Sequence, residues 1–125
     1  MADSKIVVFQ DKQIRRAWMN EQWYFSIADV VEFLTDSVDV KQYIKRMRQR
    51  DPLLNRNWGT ICTPVAMIAA DGRRRSVQAA DVKGLFRIIQ SIPSPKAEPF
   101  KQWLAQVGYE RVQEIENPEL AQERM

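Results

Sequence analysis

Two groups of basic residues are the side chains whose type and spacing could do chemistry in this chain. The first lies in residues 41–56, where six basic residues accompany one acid, Asp51. The second is the run of three arginines that follows Asp71-Gly72. Because Lys and Arg neutralise phosphates and release condensed counterions, both groups are candidate sites for a polyanion. The candidate residues are Lys41, Lys45, Arg46, Arg48 and Arg50 in the first group and Arg73, Arg74 and Arg75 in the second.

Nucleophilic and metal chemistry has little support in the composition. The chain has no histidine and one cysteine, Cys62, which excludes Cys-His and Ser-His pairs, histidine-containing zinc sites and an internal disulfide. The carboxylates Asp29/Glu32 and Asp36/Asp39 have the ligand type of a Mg²⁺-dependent nuclease, but helix capping and solvation explain them better. We therefore predict no catalytic residue, no metal and no cofactor, with Cys62 as a buried small hydrophobe.

Length, hydropathy and charge bound the class of protein. A chain of 125 residues is typical of one globular domain. Its apolar runs are too short to cross a bilayer, and no signal-peptide core follows the N-terminus, so we predict a cytoplasmic protein without a membrane partner. Residues 1–90 contain 15 basic and 10 acidic side chains, whereas residues 91–125 contain 4 and 6. This uneven distribution favours an anionic partner for the front part of the chain.

A helix is predicted to position the first basic group. It begins between Ser37 and Asp39 and ends before Pro52. Its apolar residues recur at helical spacing and face the core: Val40, Tyr43, Ile44 and Met47. Positions i, i+4 and i+7 share one side of a helix, so the opposite face carries Lys41, Lys45 and Arg48, flanked by Arg46 and Arg50.

A β-hairpin is predicted to position the second group. Asp71-Gly72 is a signal for a two-residue type I′ turn between extended segments at residues 61–70 and 73–79. The three arginines then lie at the hairpin tip. Since successive side chains of a strand point to opposite faces, they cannot all touch one ligand unless the tip twists.

The other predicted elements complete an α+β domain, with small antiparallel hairpins packed against amphipathic helices and a helical C-terminal third. Strands are expected at residues 6–9, 14–18 and 23–25, followed by a helix over residues 26–34 that Ser26 caps. Residues 53–60, rich in Asn and Gly, predict a loop. In that loop Trp58 is a candidate stacking platform for single-stranded nucleic acid, whereas the periodic Trp18, Trp23 and Trp103 are expected in the core.

The last third is predicted to hold three helical stretches. Asp81 caps one that runs to about Ser91, and Ser94 starts a second that Gly108 stops. Residues 109–116 form the third. The segment from Asn117 to the end at residue 125 opens like a helix but is too short to stand alone, so we expect the natural protein to continue beyond one domain at residues 1–125.

Two segments resemble a known family. The segment WYFSIADVV at residues 23–31 resembles the Bro-N domain, the N-terminal module of baculovirus Bro proteins and of many phage and prophage antirepressors. The segment GLFRIIQSIPSPKAEPFKQWL at residues 84–104 is similar to the bacterial branch that includes DNA-damage-inducible protein D, as are DGR at 71–73 and YER at 109–111. The resemblance spans residues 6–124, nearly the whole chain.

The resemblance implies an α+β fold, a DNA-binding or antirepressor role in transcription regulation, and a separate C-terminal region. For the bacterial branch it also implies a link to the DNA damage response. It assigns no catalytic or binding residues, so the basic candidates rest on charge and placement alone. For Lys96, which lies in the family-like segment, a role in the fold is the alternative.

Three hypotheses of function follow. The first is a non-catalytic regulatory module that binds duplex DNA, and the second is an interaction module that captures a repressor protein. A metal-dependent nuclease ranks last, and a homo-oligomer is compatible with each hypothesis. If the two basic groups form one face, DNA binding is favoured; if they scatter beside an exposed apolar patch, protein binding is favoured.

Overall fold

One antiparallel sheet and a set of helices form the fold. The computed structural model describes the backbone of residues 3–10, 12–69 and 71–116 and the side chains of residues 8–10, 12–69 and 71–107. The strands are β1 (Asp3–Phe9), β2 (Lys12–Met19), β3 (Gln22–Ser26), β4 (Thr63–Ile68) and β5 (Arg74–Ala80). The helices are α1 (Ile27–Thr35), α2 (Val40–Arg50), α3 (Pro52–Arg56), α4 (Trp58–Ile61), α5 (Val82–Gln90) and α6 (Ala97–Glu116). The predicted α+β class is confirmed.

The sheet has the strand order β1-β2-β3-β5-β4. Each neighbouring pair is antiparallel. Asn20 and Glu21 both have positive φ and turn β2 into β3, which is the two-residue turn geometry that matches strand twist. The β4–β5 hairpin joins the sheet through Phe25 opposite Ala80 and Ser26 opposite Ala79.

Two clusters of buried side chains lie on the two faces of the sheet. The main cluster joins one face to helices α1, α5 and α6 through buried apolar residues that include Phe25, Val30, Leu85 and Phe100. The second cluster fills the other face and brings β4 over β2 and β3, through Ala17, Tyr24, Val65, Met67 and Ala79. The alternation of side chains along each strand produces this division.

Side-chain caps fix where several helices begin, as the sequence predicts. Ser26 Oγ accepts from Asp29 N, and Asp39 Oδ1 accepts from Gln42 N at 3.1 Å. Asp81 Oδ1 accepts from Gly84 N at 2.8 Å. Each cap satisfies a backbone N–H that lacks a partner within the helix. The predicted starts of α1, α2 and α5 are confirmed.

The predicted loop at residues 53–60 is wrong, because α3 and α4 occupy it. Asp51 Oδ1 accepts from Leu54 N at 3.0 Å, and Pro52 takes the first helical position. An aspartate followed by a proline is a helix-start signal, and it outweighs the loop composition of the following residues. Buried Leu54 then anchors α3 in the main cluster.

The predicted break at Gly108 is also wrong, because α6 runs unbroken from Ala97 to Glu116. A glycine inside a helix costs about 1 kcal/mol relative to alanine. Burial of Phe100, Leu104 and Val107 along the inward side of α6 offsets that cost. The helix begins after a turn in which Lys96 N donates to Ser94 Oγ. The predicted helix start at Asn117 lies outside the described residues.

Candidate nucleic-acid interface

Helix α2 presents the first basic group on its outer side, as predicted. Met47 is fully buried in the main cluster, and Val40, Tyr43 and Ile44 pack partly against it. Lys41, Lys45, Arg46 and Arg50 are exposed, whereas Arg48 is half-buried. The apolar stripe therefore fixes the orientation of the helix and leaves its cations accessible.

Three of these cations line one shallow depression of about 230 Å³. Its walls are Lys41, Ile44, Lys45, Arg48, Gln49 and Asn55. This placement agrees with the i, i+4, i+7 spacing in the sequence. No carboxylate of the described residues lines the depression, and the partly buried Ile44 forms an apolar part of its wall. The depression is therefore a cationic site that an anion can approach.

The cations of α2 differ in their partners. Lys41, Lys45 and Arg46 form no ion pair or side-chain hydrogen bond with any residue in the described part of the chain. Arg48 Nε donates to Asn55 Oδ1 at 2.9 Å, and Arg50 Nη2 donates to the Ser91 carbonyl oxygen at 2.9 Å. The first three are thus free to meet an external anion, whereas the other two also stabilise the fold.

Trp58 does not lie in an open loop. It is half-buried at the start of α4, and the guanidinium carbon of Arg48 lies 5.0 Å from its ring centroid. A cation within about 6 Å of an aromatic face is attracted by the ring quadrupole. Arg48 therefore covers a ring face that the stacking hypothesis would assign to a base.

Asp51 fastens the C-terminal end of α2 to α5. Its carboxylate accepts from Ser91 Oγ and from Arg87 Nη2, the latter at 3.1 and 3.2 Å, besides capping α3 through Leu54 N. The hydrogen bond from Ser91, with those from Leu54 and Arg87, lowers the pKa of Asp51 to about 2. The Asp51-Pro52 pair is a local cap signal that points to the aspartate, whereas no local pattern in the sequence indicates its contacts with Arg87 and Ser91.

The predicted hairpin is confirmed, but its turn type is wrong. Asp71 does not have positive φ, whereas Gly72 takes the left-handed conformation, at φ +82°. Gly72 N donates to the Ala69 carbonyl and Ala69 N donates to the Arg73 carbonyl. These bonds close the turn with glycine at the left-handed position, which is typical of hairpin loops longer than two residues. Asp71 Oδ1 accepts from Arg73 N at 3.0 Å, and this local bond holds the turn.

The strand register divides the three arginines. Arg74 pairs with Ile68 and Arg75 with Met67, whose side chain is buried in the second cluster. Arg75 therefore belongs to the inner side of the hairpin, where its Nη2 meets Asp71 Oδ2. That hydrogen bond is the main cause that lowers the pKa of Asp71. Arg74 points to the outer side, and Arg73 is exposed next to it in the turn.

The two basic groups rest on different parts of the core. Helix α2 packs into the main cluster through Met47, and the hairpin packs into the second cluster through Val65 and Met67. Among the described residues, no hydrogen bond or ion pair joins Lys41–Arg50 side chains to Arg73, Arg74 or Arg75. Any joint action of the two groups would therefore have to pass through a shared ligand.

Arg15 is a structural residue that the sequence analysis missed. Its Nε and Nη2 donate to the two oxygens of Asp29 at 2.8 and 2.9 Å. It also donates to Ser26 Oγ and, through Nη1, to the Ile68 carbonyl at 3.2 Å. The hydrogen bond to Asp29 raises the pKa of Arg15. This side chain ties β2 to the start of α1 and to the outer end of β4.

Three of the four carboxylates considered for a metal have other roles. Asp29 binds Arg15, Asp39 caps α2, and Asp36 binds Lys96 Nζ at 2.7 Å, which lowers the pKa of Asp36. Lys96 also donates to the Phe33 carbonyl, so its role in the fold is confirmed. In the described part of the chain, no three His, Cys, Asp or Glu side chains are grouped as metal ligands. Cys62, predicted to be buried, is half-buried, and this partial desolvation raises the pKa of its thiol to about 11.

The comparison with protein families shows which family the chain belongs to. Residues 13–110 match the family model Bro-N, described as the BRO family, N-terminal domain. This chain belongs to the BRO family. The match extends from β2 into α6 and includes both basic groups of the Bro-N domain. Bro-N is an antirepressor-type N-terminal module of a regulatory family. No curated protein and no solved structure matches the chain.

Across the helices whose residues are described, none combines the length and hydrophobicity that a bilayer span requires.

Proposed function

We propose that this Bro-N domain is a non-catalytic regulatory module that binds duplex DNA, with α2 lying along the phosphate backbone. The observation that carries the proposal is the unpaired state, among the described residues, of Lys41 and Lys45 in a depression without a carboxylate and of Arg46, next to Lys45 in the chain. Cations that already had an acidic partner would gain little from a phosphate. When Lys41, Lys45 and Arg46 bind phosphate, they give up only contacts with water and mobile ions.

The dimensions of α2 suit several phosphates. A rise of about 1.5 Å per residue separates Lys41 from Arg48 by about 10 Å along the helix axis. One strand of B-DNA places a charge every 3.4 Å or so along its own axis, so a helix side of that length can face about three phosphates. Arg46, next to Lys45 in the chain, and Arg73 in the hairpin turn, both exposed, can add one or two contacts.

The proposal has a quantitative consequence for salt. With about 3 to 5 phosphate contacts, counterion release gives a slope of about −3 to −4.5 in log K against log salt concentration. We also propose the finer assignment to the bacterial branch that resembles DNA-damage-inducible protein D, with action in the cytoplasm and in the DNA damage response. The segment at residues 84–104 supports this branch.

Repressor capture has weaker support. The four exposed large apolar side chains among the described residues, Val8, Val38, Leu53 and Ile68, lie in four different segments: β1, the α1–α2 connection, α3 and β4. Single exposed apolar residues are ordinary on protein surfaces, and an interaction site is usually a contiguous patch. The nuclease hypothesis has less support still, because Asp29, Asp36 and Asp39 already have partners or caps.

The experiment is a titration of the protein with a fluorescently labelled duplex across a series of salt concentrations. The proposal predicts saturable binding that weakens with salt along the slope given above. Binding that is absent at low salt, or that does not change with salt, would contradict it and would favour repressor capture. Incubation of the same duplex with Mg²⁺ tests the nuclease hypothesis, and we expect it to remain intact.

A further inference from the structure

The outer side of the β4–β5 hairpin is a regular exposed surface, which we call the ribbon face. It consists of the outward-pointing residues of both strands: Pro64, Ala66, Ile68, Arg74, Ser76 and Gln78. All six are exposed. They form three cross-strand pairs, Ile68 with Arg74, Ala66 with Ser76 and Pro64 with Gln78. The ribbon face thus has a row of polar side chains on β5 beside a row of apolar side chains on β4.

The ribbon face is held in a fixed orientation. Val65 and Met67 are 2% and 0% exposed in the second cluster, so a register shift of one residue would expel both from the core. The bond from Arg15 Nη1 to the Ile68 carbonyl fastens the outer end of β4. The polar side chains of β5 are therefore held on a rigid strand, which reduces the conformational entropy lost on binding.

We infer that the ribbon face enters the major groove and reads base edges through Arg74, Ser76 and Gln78, an inference that rests on the proposed function. The charge of the ribbon face suits duplex DNA, because the face has one cation, Arg74, and no carboxylate. Arg74 forms no ion pair with a described residue. A guanidinium, a hydroxyl and a carboxamide offer donors and acceptors, and the groove displays the complementary pattern.

The dimensions of the ribbon agree with the groove. Two strands lie about 4.8 Å apart, and the major groove is about 12 Å wide and admits a two-stranded ribbon. Gln78 is longer than its partner Pro64 and projects beyond it, whereas Ser76 has about the reach of Ala66. Alternate residues of a strand repeat every 6.8 Å or so, which corresponds to about two base-pair steps.

The side-chain types lead to a specific expectation about sequence. Arg pairs with guanine through O6 and N7, Gln pairs with adenine through N6 and N7, and Ser accepts several bases. Arg74 and Gln78 are four residues apart, so we expect a guanine and an adenine about four base-pair steps apart. The position between them, opposite Ser76, carries weaker preference.

Arg75 supplies a matched control within the same strand. It follows Arg74 directly, has the same charge, and lies on the inner side of the hairpin against Asp71. If the ribbon face reads bases, Arg74→Ala alters sequence preference and Arg75→Ala does not. Both variants lower the net charge by one, so an effect of net charge alone is the same in the two.

The test is selection of bound sequences from a pool of randomised duplexes, with the parent protein and the variants Arg74→Ala, Gln78→Ala and Arg75→Ala. We expect the parent and Arg75→Ala to enrich the same site. Gln78→Ala should lose preference at the adenine and Arg74→Ala at the guanine, each by about 5- to 150-fold in discrimination. Thermal unfolding of each variant confirms that it is folded.

The outcomes separate this inference from the proposed function. A parent that binds all duplexes equally with a steep salt dependence, or a Gln78→Ala variant that keeps the parental site, overturns the ribbon reading and leaves DNA binding through α2 intact. If the parent binds no duplex at low salt, both base reading by the ribbon face and DNA binding by the domain are overturned. If Arg74→Ala and Gln78→Ala lose sequence preference and Arg75→Ala keeps it, both base reading by the ribbon face and DNA binding are supported.

Discussion

Arg75 meets the carboxylate of Asp71 at the turn of the β4–β5 hairpin, and this ion pair distinguishes it from its neighbour Arg74. Arg74 lies on the opposite side of the strand, without an ion pair to a described residue. The three consecutive arginines at positions 73–75 therefore have three different environments. The pairing also reduces the charge that Arg75 offers to an external anion.

Removal of the carboxylate at position 71 should release that charge. We expect Asp71→Asn to tighten duplex binding by several-fold and to steepen the salt slope by about one unit, because one more arginine can meet a phosphate. The matched control is Glu98→Gln on α6, which also removes one negative charge and releases Lys101 from its 2.7 Å ion pair. Equal tightening in both variants would mean that net charge, and not Arg75, is responsible.

Arg15 should contribute to stability. Arg15 and Asp29 retain 22% and 15% side-chain exposure, so removing one partner leaves a largely desolvated charge. We expect Arg15→Ala to lower the free energy of unfolding by about 2 kcal/mol, less than the roughly 3–5 kcal/mol of a fully buried pair. Urea unfolding measures it, with the exposed Arg73→Ala as control and a change within about 0.5 kcal/mol expected there. Equal effects in the two variants would contradict the role of Arg15.

Asp51 should make stability depend on pH in the acid range. The pKa of Asp51 is about 2 in the folded protein, below its ordinary value of 3.8. The folded state therefore binds its proton less readily than the unfolded state, and this stabilisation is present above pH 3.8 and lost as the pH falls towards about 2. Asp51→Asn should flatten the curve of urea midpoint against pH in that window. An unchanged acid slope would show that the Ser91 and Arg87 contacts do not lower this pKa.

Local signals account for what the sequence predicts well. Ser26, Asp39 and Asp81 cap helices whose apolar periodicity is visible within a dozen residues, and the outward basic side of α2 follows from the same spacing. The division between Arg74 and Arg75 needs only the alternation of a strand. Which of the two lies outward depends on Met67 being buried, and that is a property of the whole sheet.

Long-range partners account for what the sequence does not predict. Arg87 meets Asp51 across 36 positions, and Arg50 reaches Ser91 across 41. Nothing in the local pattern selects these pairs. The unbroken α6 is a similar case, because a glycine signal at position 108 is overridden by the burial of Val107 and its neighbours against the sheet.

The central claim is that Lys41 and Lys45 meet phosphate. The most direct measurement compares the salt dependence of duplex binding for the parent, for Lys41→Ala/Lys45→Ala, and for the control Lys12→Ala/Lys101→Ala. The control removes the same charge from lysines near carboxylates, since Lys101 pairs with Glu98 and Lys12 lies beside Glu32 and Asp36. We predict that the α2 variant weakens binding and flattens the slope by about two units, while the control keeps the parental slope. Identical affinity and slope in the α2 variant and the parent would contradict the account.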